Sequence, residues 1–144
     1  MIEFHAGNGP DTQAVGIALE EMFLDYRVAP GRSPLPILAD GGVRMPGAAA
    51  ILTMLARKTD KFLPGDVAET KRWAEAKALD LETLDALLAK SDFILGDFSI
   101  ADMAVYPRIA GDAAGLAAHP AIARWAARMM QRPATGRGMT VVQR

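Results

Sequence analysis

Apolar and polar residues alternate from Ile2 to Ala6, the two-residue period of a short strand. Gly7-Asn8-Gly9-Pro10 follows as a turn ending in proline. From Gln13 to Leu24, residues Val15, Ile17, Ala18, Leu19, Met22 and Phe23 recur at mainly helical spacing. Pro10 suits the first helical position, and Asp11 suits the positive end of that helix. Tyr26 to Val28 reads as a brief second strand. Leu35 to Asp40, the turn Gly41-Gly42 and Val43 to Met45 read as a hairpin. Ala48 to Leu55 opens another helix that runs into Lys58, and Phe62-Leu63-Pro64-Gly65 is a linker.

Everything after Asp66 is helical in pattern and rich in alanine. Residues 67–90 contain no Gly or Pro, and an apolar stripe runs through Leu81, Leu84, Leu87 and Leu88. One continuous helix would add Trp73 to that stripe, but it would also place Lys77 and Asp80 inside it. A break near Lys77 to Asp80 is therefore expected. The pattern predicts a mixed α/β unit over residues 1–65 and an all-helical unit over 66–144. No internal repeat is present.

Composition narrows the function. Of 144 residues, 51% are hydrophobic and 23% charged, enough for one globular unit or two very small ones. Sixteen basic residues face seventeen acidic ones, so neither a basic nucleic-acid surface nor an acidic tail is implied. No apolar run is long enough to cross a bilayer. Met1 to His5 has no basic region leading into an apolar one, so the protein is expected in the cytoplasm. The absence of cysteine removes disulfides and thiolate chemistry, and His5 and His119 alone do not make a histidine-rich metal site.

Ser99 and Asp102 have the spacing of a capping box at a helix start. The serine hydroxyl accepts from the helix backbone, and the carboxylate reaches back to the Ser99 amide. This is a structural cap. Trp73 and Trp125 are expected to serve packing.

Several of these segments, taken in order, resemble bacterial glutathione transferases. "AVGIALEEMFLDYRV" and "LPILADGGVRMPGAAAILTMLARKTDKFLPGD" resemble the thioredoxin-like N-terminal domain. "FILGDFSIADMAVYPRIA" resembles the opening of the sixth helix of the helical domain, and "HPAIARWAARMMQRPATGRGM" its last helices. The resemblance implies a thioredoxin-like glutathione transferase N-terminal domain that lacks its second helix, followed by a shortened C-terminal helical bundle. It also implies a cis peptide bond before Pro36, at the start of the third strand.

The same resemblance points to a cleft at Gly9, Asp11, Pro36, Pro46 and Gly47, and shows what is missing there. Gly9 occupies the place of the serine or threonine that would stabilise the glutathione thiolate. Asp11 puts a carboxylate at the helix end a thiolate would use. Thr12 is the nearest remaining hydroxyl and the weak catalytic candidate. Pro46-Gly47 replaces the Glu/Gln-Ser pair that would hold the γ-glutamyl group, with no polar side chain. Only "APGRSP" joins the second and third strands, where the family has a loop and a helix, and the middle of the fourth and fifth helices is gone. One sheet face is thereby bared. The polar side, with Glu3 and His5, is expected to be that face, with Leu38 or Ile37 beside it and Leu81 and Trp73 exposed by the second deletion.

On these grounds the leading reading is a glutathione transferase-like protein without glutathione chemistry. It would have no cofactor, and it would serve as a non-catalytic accessory or interaction subunit, bound to a protein partner or to a second copy. The alternative is a reduced glutathione-dependent transferase or peroxidase acting on small electrophiles. A third is a binder of some other small ligand in the same cleft.

Overall fold

The computed structural model describes residues 1–141. Four strands, β1 (Ile2–His5), β2 (Tyr26–Val28), β3 (Ile37–Asp40) and β4 (Val43–Pro46), pair in the order β2-β1-β3-β4. β1 runs parallel to β2, with Ile2 opposite Tyr26. It runs antiparallel to β3, with Phe4 opposite Leu38, and β3 turns back into β4. Eight helices complete the described chain: α1 (Pro10–Glu21), α2 (Ala48–Thr59), α3 (Val67–Glu75), α4 (Leu81–Lys90), α5 (Ile100–Ile109), α6 (Ala113–Ala118), α7 (Pro120–Met130) and α8 (Pro133–Met139). This is a thioredoxin-like sheet unit followed by a helical bundle.

The alternation read in β1 becomes two faces. Ile2, Phe4 and Leu38 are buried in the core shared with α1 and α2, whereas Glu3 and His5 on the opposite face stay partly exposed. Glu3 pairs with Arg27 across the strands, and that guanidinium holds the Glu3 carboxyl below its usual range. The expectation that Leu38 could face outward is corrected. Leu38 lies directly opposite Phe4, so it shares the buried face, and Ile37 is the half-exposed neighbour.

No helix intervenes between β2 and β3. The connecting chain is pinned beside β1, with Ala29 N donating to Phe4 O at 2.9 Å and Ser33 N to Ala6 O at 3.0 Å. The cis peptide expected before Pro36 is absent, as no described peptide bond is cis. The Pro36 carbonyl accepts from Gly47 N at 2.9 Å at the open end of the β3/β4 hairpin.

The break between Lys77 and Asp80 is present. α3 stops at Glu75 and α4 begins at Leu81. Asp80 caps α4 by accepting from Thr83 N at 3.1 Å and from Thr83 Oγ1 at 2.7 Å, and these bonds lower its carboxyl pKa. Arg108 of α5 satisfies the carbonyls left at the end of α3, donating to Trp73 O at 3.1 Å and Ala76 O at 2.6 Å. Leu84 and Leu88 enter the core, whereas Leu81 and Trp73 are only half-buried.

α1 runs through the centre, against α2, α5 and α8. Its contact with α8 depends on two glycines. A Cβ on Gly138 would lie 2.3 Å from the Ile17 backbone, and one on Gly16 would lie 2.6 Å from Gly138 O. At the end of α1, Arg132 grips buried Glu21 through two bonds of 2.9 and 3.0 Å, and Thr135 Oγ1 donates a third at 2.8 Å. The Arg132 guanidinium also lies 3.7 Å from the Phe98 ring centroid.

Candidate functional site

A cavity of about 550 Å³ opens between the sheet unit and the helical bundle. Asn8, Pro10 and Asp11 line it from the start of α1; Pro46, Gly47 and Ala48 to Ala50 line it from the start of α2. Ala74, Glu75 and Ala76 at the end of α3, Arg108 of α5 and Leu35 complete it. Among the sequence candidates, Asp11, Pro46 and Gly47 therefore meet in one cavity. Gly9 lies between two lining residues. Pro36 is next to Leu35 and is bonded through its carbonyl to Gly47.

Two helix N-termini meet here because of glycine. Gly9 precedes α1 with φ 82° and ψ −161°; Gly47 precedes α2 with φ 91° and ψ 138°. Both conformations are ones L side chains rarely adopt. Neither helix has a side-chain cap hydrogen bond on its first-turn amides. Amides such as those of Ala48 to Ala50 have no intrahelical acceptor by the geometry of an α-helix, and the helix dipole adds positive potential.

Thr12 does not join them. It is fully buried, and its Oγ1 accepts from Gly7 N at 2.8 Å, bracing the turn between β1 and α1. Its hydroxyl is not presented to the cavity. The charged groups on the lining are Asp11, Glu75 and Arg108, and Arg108 is already engaged with the carbonyls ending α3. Among the described residues no group of three His, Asp or Glu could hold a metal ion, and no helix is long and apolar enough to cross a membrane.

Arg108, Asn8 and Glu75 are the polar lining residues that the sequence did not single out as site candidates. A lone arginine in α5, whose other charged residue Asp102 belongs to the cap, was the available signal for Arg108. Asn8 and Glu75 had none, since turn asparagines and surface glutamates are common.

Ser99 and Asp102 form the capping box and stand apart from the cavity lining. Ala101 N donates to Ser99 Oγ at 3.2 Å, and Ser99 N donates to Asp102 Oδ2 at 2.9 Å. The carboxylate does more than cap. Asp102 Oδ1 also accepts from Ile94 N at 3.0 Å and from Trp125 Nε1 at 2.9 Å, tying α5 to α7. Burial pushes the Asp102 carboxyl up to about 6, against the pull of its donors.

No protein-family model and no curated protein matches the sequence. Solved structures do match. An apo structure of Ure2p6 from Phanerochaete chrysosporium is 25% identical, covers 95% of each chain and superposes with a TM-score of 0.81. A glutathione transferase from Burkholderia graminis, with two glutathione molecules bound per subunit, is 23% identical with a TM-score of 0.77, covering 99% of this chain and 89% of its own. The theta class glutathione S-transferase of Xanthomonas axonopodis pv. citri, with glutathione bound, is 19% identical with a TM-score of 0.78 and covers 96% of each chain.

Proposed function

Because the chain has the glutathione transferase fold, we propose that it binds glutathione between its two units and acts as a reduced glutathione-dependent transferase or peroxidase on small electrophiles. One observation carries the reading: a cavity of about 550 Å³ onto which the uncapped N-termini of α1 and α2 both open. Glutathione has carboxylates at its ends and a thiol between them. The first-turn amides of α2 suit a carboxylate. Those of α1 are limited to Asp11 and Thr12, because Pro10 has no N–H, and the Asp11 carboxylate beside them opposes a thiolate, so α1 contributes less to the thiol than α2 does to the carboxylate. The peptide's amine would meet Asp11 or Glu75. Activation of the thiol then rests on backbone dipoles rather than on a side-chain hydroxyl, and the rate enhancement is correspondingly small. Structural relatives with glutathione bound support this reading over the accessory one.

Calorimetric titration with reduced glutathione is the test. A dissociation constant below roughly 1 mM, equivalent to about −4.1 kcal/mol, together with glutathione-dependent conjugation of 1-chloro-2,4-dinitrobenzene, is the expected outcome. The second reading, a non-catalytic interaction module, is favoured by one specific observation. Gly9, Pro46 and Gly47 bring no polar side chain to the cavity, and Thr12 is buried. No heat at 10 mM glutathione, with a stoichiometric protein complex purified from native lysate, would decide for that reading.

A further inference from the structure

The cavity between the sheet unit and the helical bundle has two unlike walls. The starts of α1 and α2, with Asp11, Pro46 and Gly47, make one; the end of α3, with Ala74, Glu75 and Ala76, and Arg108 of α5 make the other. Each wall carries one carboxylate, Asp11 on the first and Glu75 on the second. Both residues are exposed, and neither side chain forms an ion pair among the described residues.

The one cation on the lining does not pair with Glu75. The Arg108 guanidinium points at backbone instead, donating to Trp73 O at 3.1 Å, to Ala76 O at 2.6 Å and to Lys77 O at 3.3 Å. These carbonyls flank Glu75 in the chain. α3 ends without glycine, and Ala76 leaves the helix at φ −61° and ψ 131°. Arg108 thereby fixes the turn that presents Glu75, and two carboxylates against one guanidinium leave the lining net negative. Ala74 and Ala76 flank Glu75 with small side chains, which leaves room for a ligand group beside its carboxylate.

We propose that Glu75 selects the second substrate: the cavity favours an electrophile bearing an ammonium or similar cation over a neutral one, and disfavours one bearing a carboxylate. The assignment rests on the glutathione reading above. Glutathione held at the two helix starts brings its amine to Asp11, on its own wall, and leaves Glu75 facing the electrophile. A carboxylate on the electrophile meets Glu75 and the anionic peptide together, and such like-charge contacts exclude a ligand more sharply than attraction recruits one. With an organic halide, the glutathione sulfur bonds the carbon, the halide leaves with the bonding pair and the thiol proton passes to solvent. The cationic group is untouched and stays beside Glu75.

Conjugates that differ only in their outer group test this by calorimetry: S-(3-aminopropyl)glutathione, S-butylglutathione and S-(2-carboxyethyl)glutathione, with reduced glutathione titrated alongside. The ammonium form should bind at least about threefold more tightly than the butyl form, and the carboxylate form at least about threefold more weakly. Glu75→Gln should bring the three within about twofold of one another, and Glu75→Lys should reverse their order. Asp11→Asn should weaken all three and keep the order. No heat with reduced glutathione or with the butyl conjugate overturns the glutathione reading, and this inference with it. Binding of those two with no preference among outer groups, a preference that survives Glu75→Gln, or one that Asp11→Asn erases overturns this inference alone.

Discussion

Asp102 shows how one side chain can hold several elements. Its carboxylate accepts from Ile94 N, Ser99 N and Trp125 Nε1, so replacement strands three buried donors. Asp102→Asn keeps the shape but turns an amide N–H toward one of them, and a loss of about 2–4 kcal/mol is expected in urea unfolding. The pH dependence has a definite sign. Burial raises the folded carboxyl to about 6 from a reference of 3.8. A raised folded pKa means the folded state holds this proton more tightly than the unfolded chain. Asp102's contribution is thus fully present below the unfolded value and is lost as pH rises through about 6. Urea midpoints compared between pH 4 and pH 7 should show the advantage of wild type over Asp102→Asn widening toward low pH; a pH-independent gap would refute it. At Gly9 and Gly47 no atom lies within 4 Å of an added Cβ, so space is not what demands glycine. The cost of Gly9→Ala or Gly47→Ala is backbone strain, about 1–3 kcal/mol each, read as a lower thermal midpoint.

At the level of elements, α1 is held by α8 through close backbone approach and through ionic contact. A Cβ on Gly138 would meet Ile17 N and Cα at 2.3 Å, and backbone cannot rotate aside. Gly138→Ala should therefore cost about 3 kcal/mol or more, the upper range for overpacking. Arg132→Ala leaves Glu21, whose side chain is 6% exposed, with only the Thr135 hydroxyl. Because Arg132 itself is one-third exposed, solvent screens part of the loss, and about 2 kcal/mol is expected. The double variant Glu21→Gln/Arg132→Met removes both charges. It should recover more than half of that loss; if it is no better than Arg132→Ala, burial of an unpaired charge is not the cause.

For the whole molecule, the apolar core is continuous. Ile2 and Phe4 of the sheet, Ile17 and Leu19 of α1, and Met103, Ile109 and Trp125 of the bundle belong to one buried cluster. α1 meets both α5 and α8, so the sheet unit alone would expose that helix. A fragment of residues 1–65 is expected to lack dispersed amide resonances, and the intact chain to unfold in one transition by both circular dichroism and tryptophan fluorescence. A folded fragment, or two separated transitions, would show that each unit is self-sufficient.

Local pattern was enough for much of this architecture. The two-residue period of Ile2 to Ala6, the Gly41-Gly42 hairpin, Pro10 at a helix start, the Ser99–Asp102 cap and the misplaced charges at Lys77 and Asp80 are all short-range signals, and each has its counterpart in the fold. Asp11, Pro46 and Gly47, which only the family resemblance placed at one cleft, line a single cavity in the structure. What the chain could not disclose locally depends on contacts between distant residues. Which of Ile37 and Leu38 faces inward is set by their register against β1, and a slip of one residue would exchange them. The fate of the Thr12 hydroxyl is set by the path of the Gly7 turn, which brings the Gly7 amide onto it. Arg108 reaches the cavity only because α3 ends beside α5. Secondary structure follows from periods of two to four residues, whereas a cavity is made by residues many turns apart, whose meeting is decided when the whole core packs.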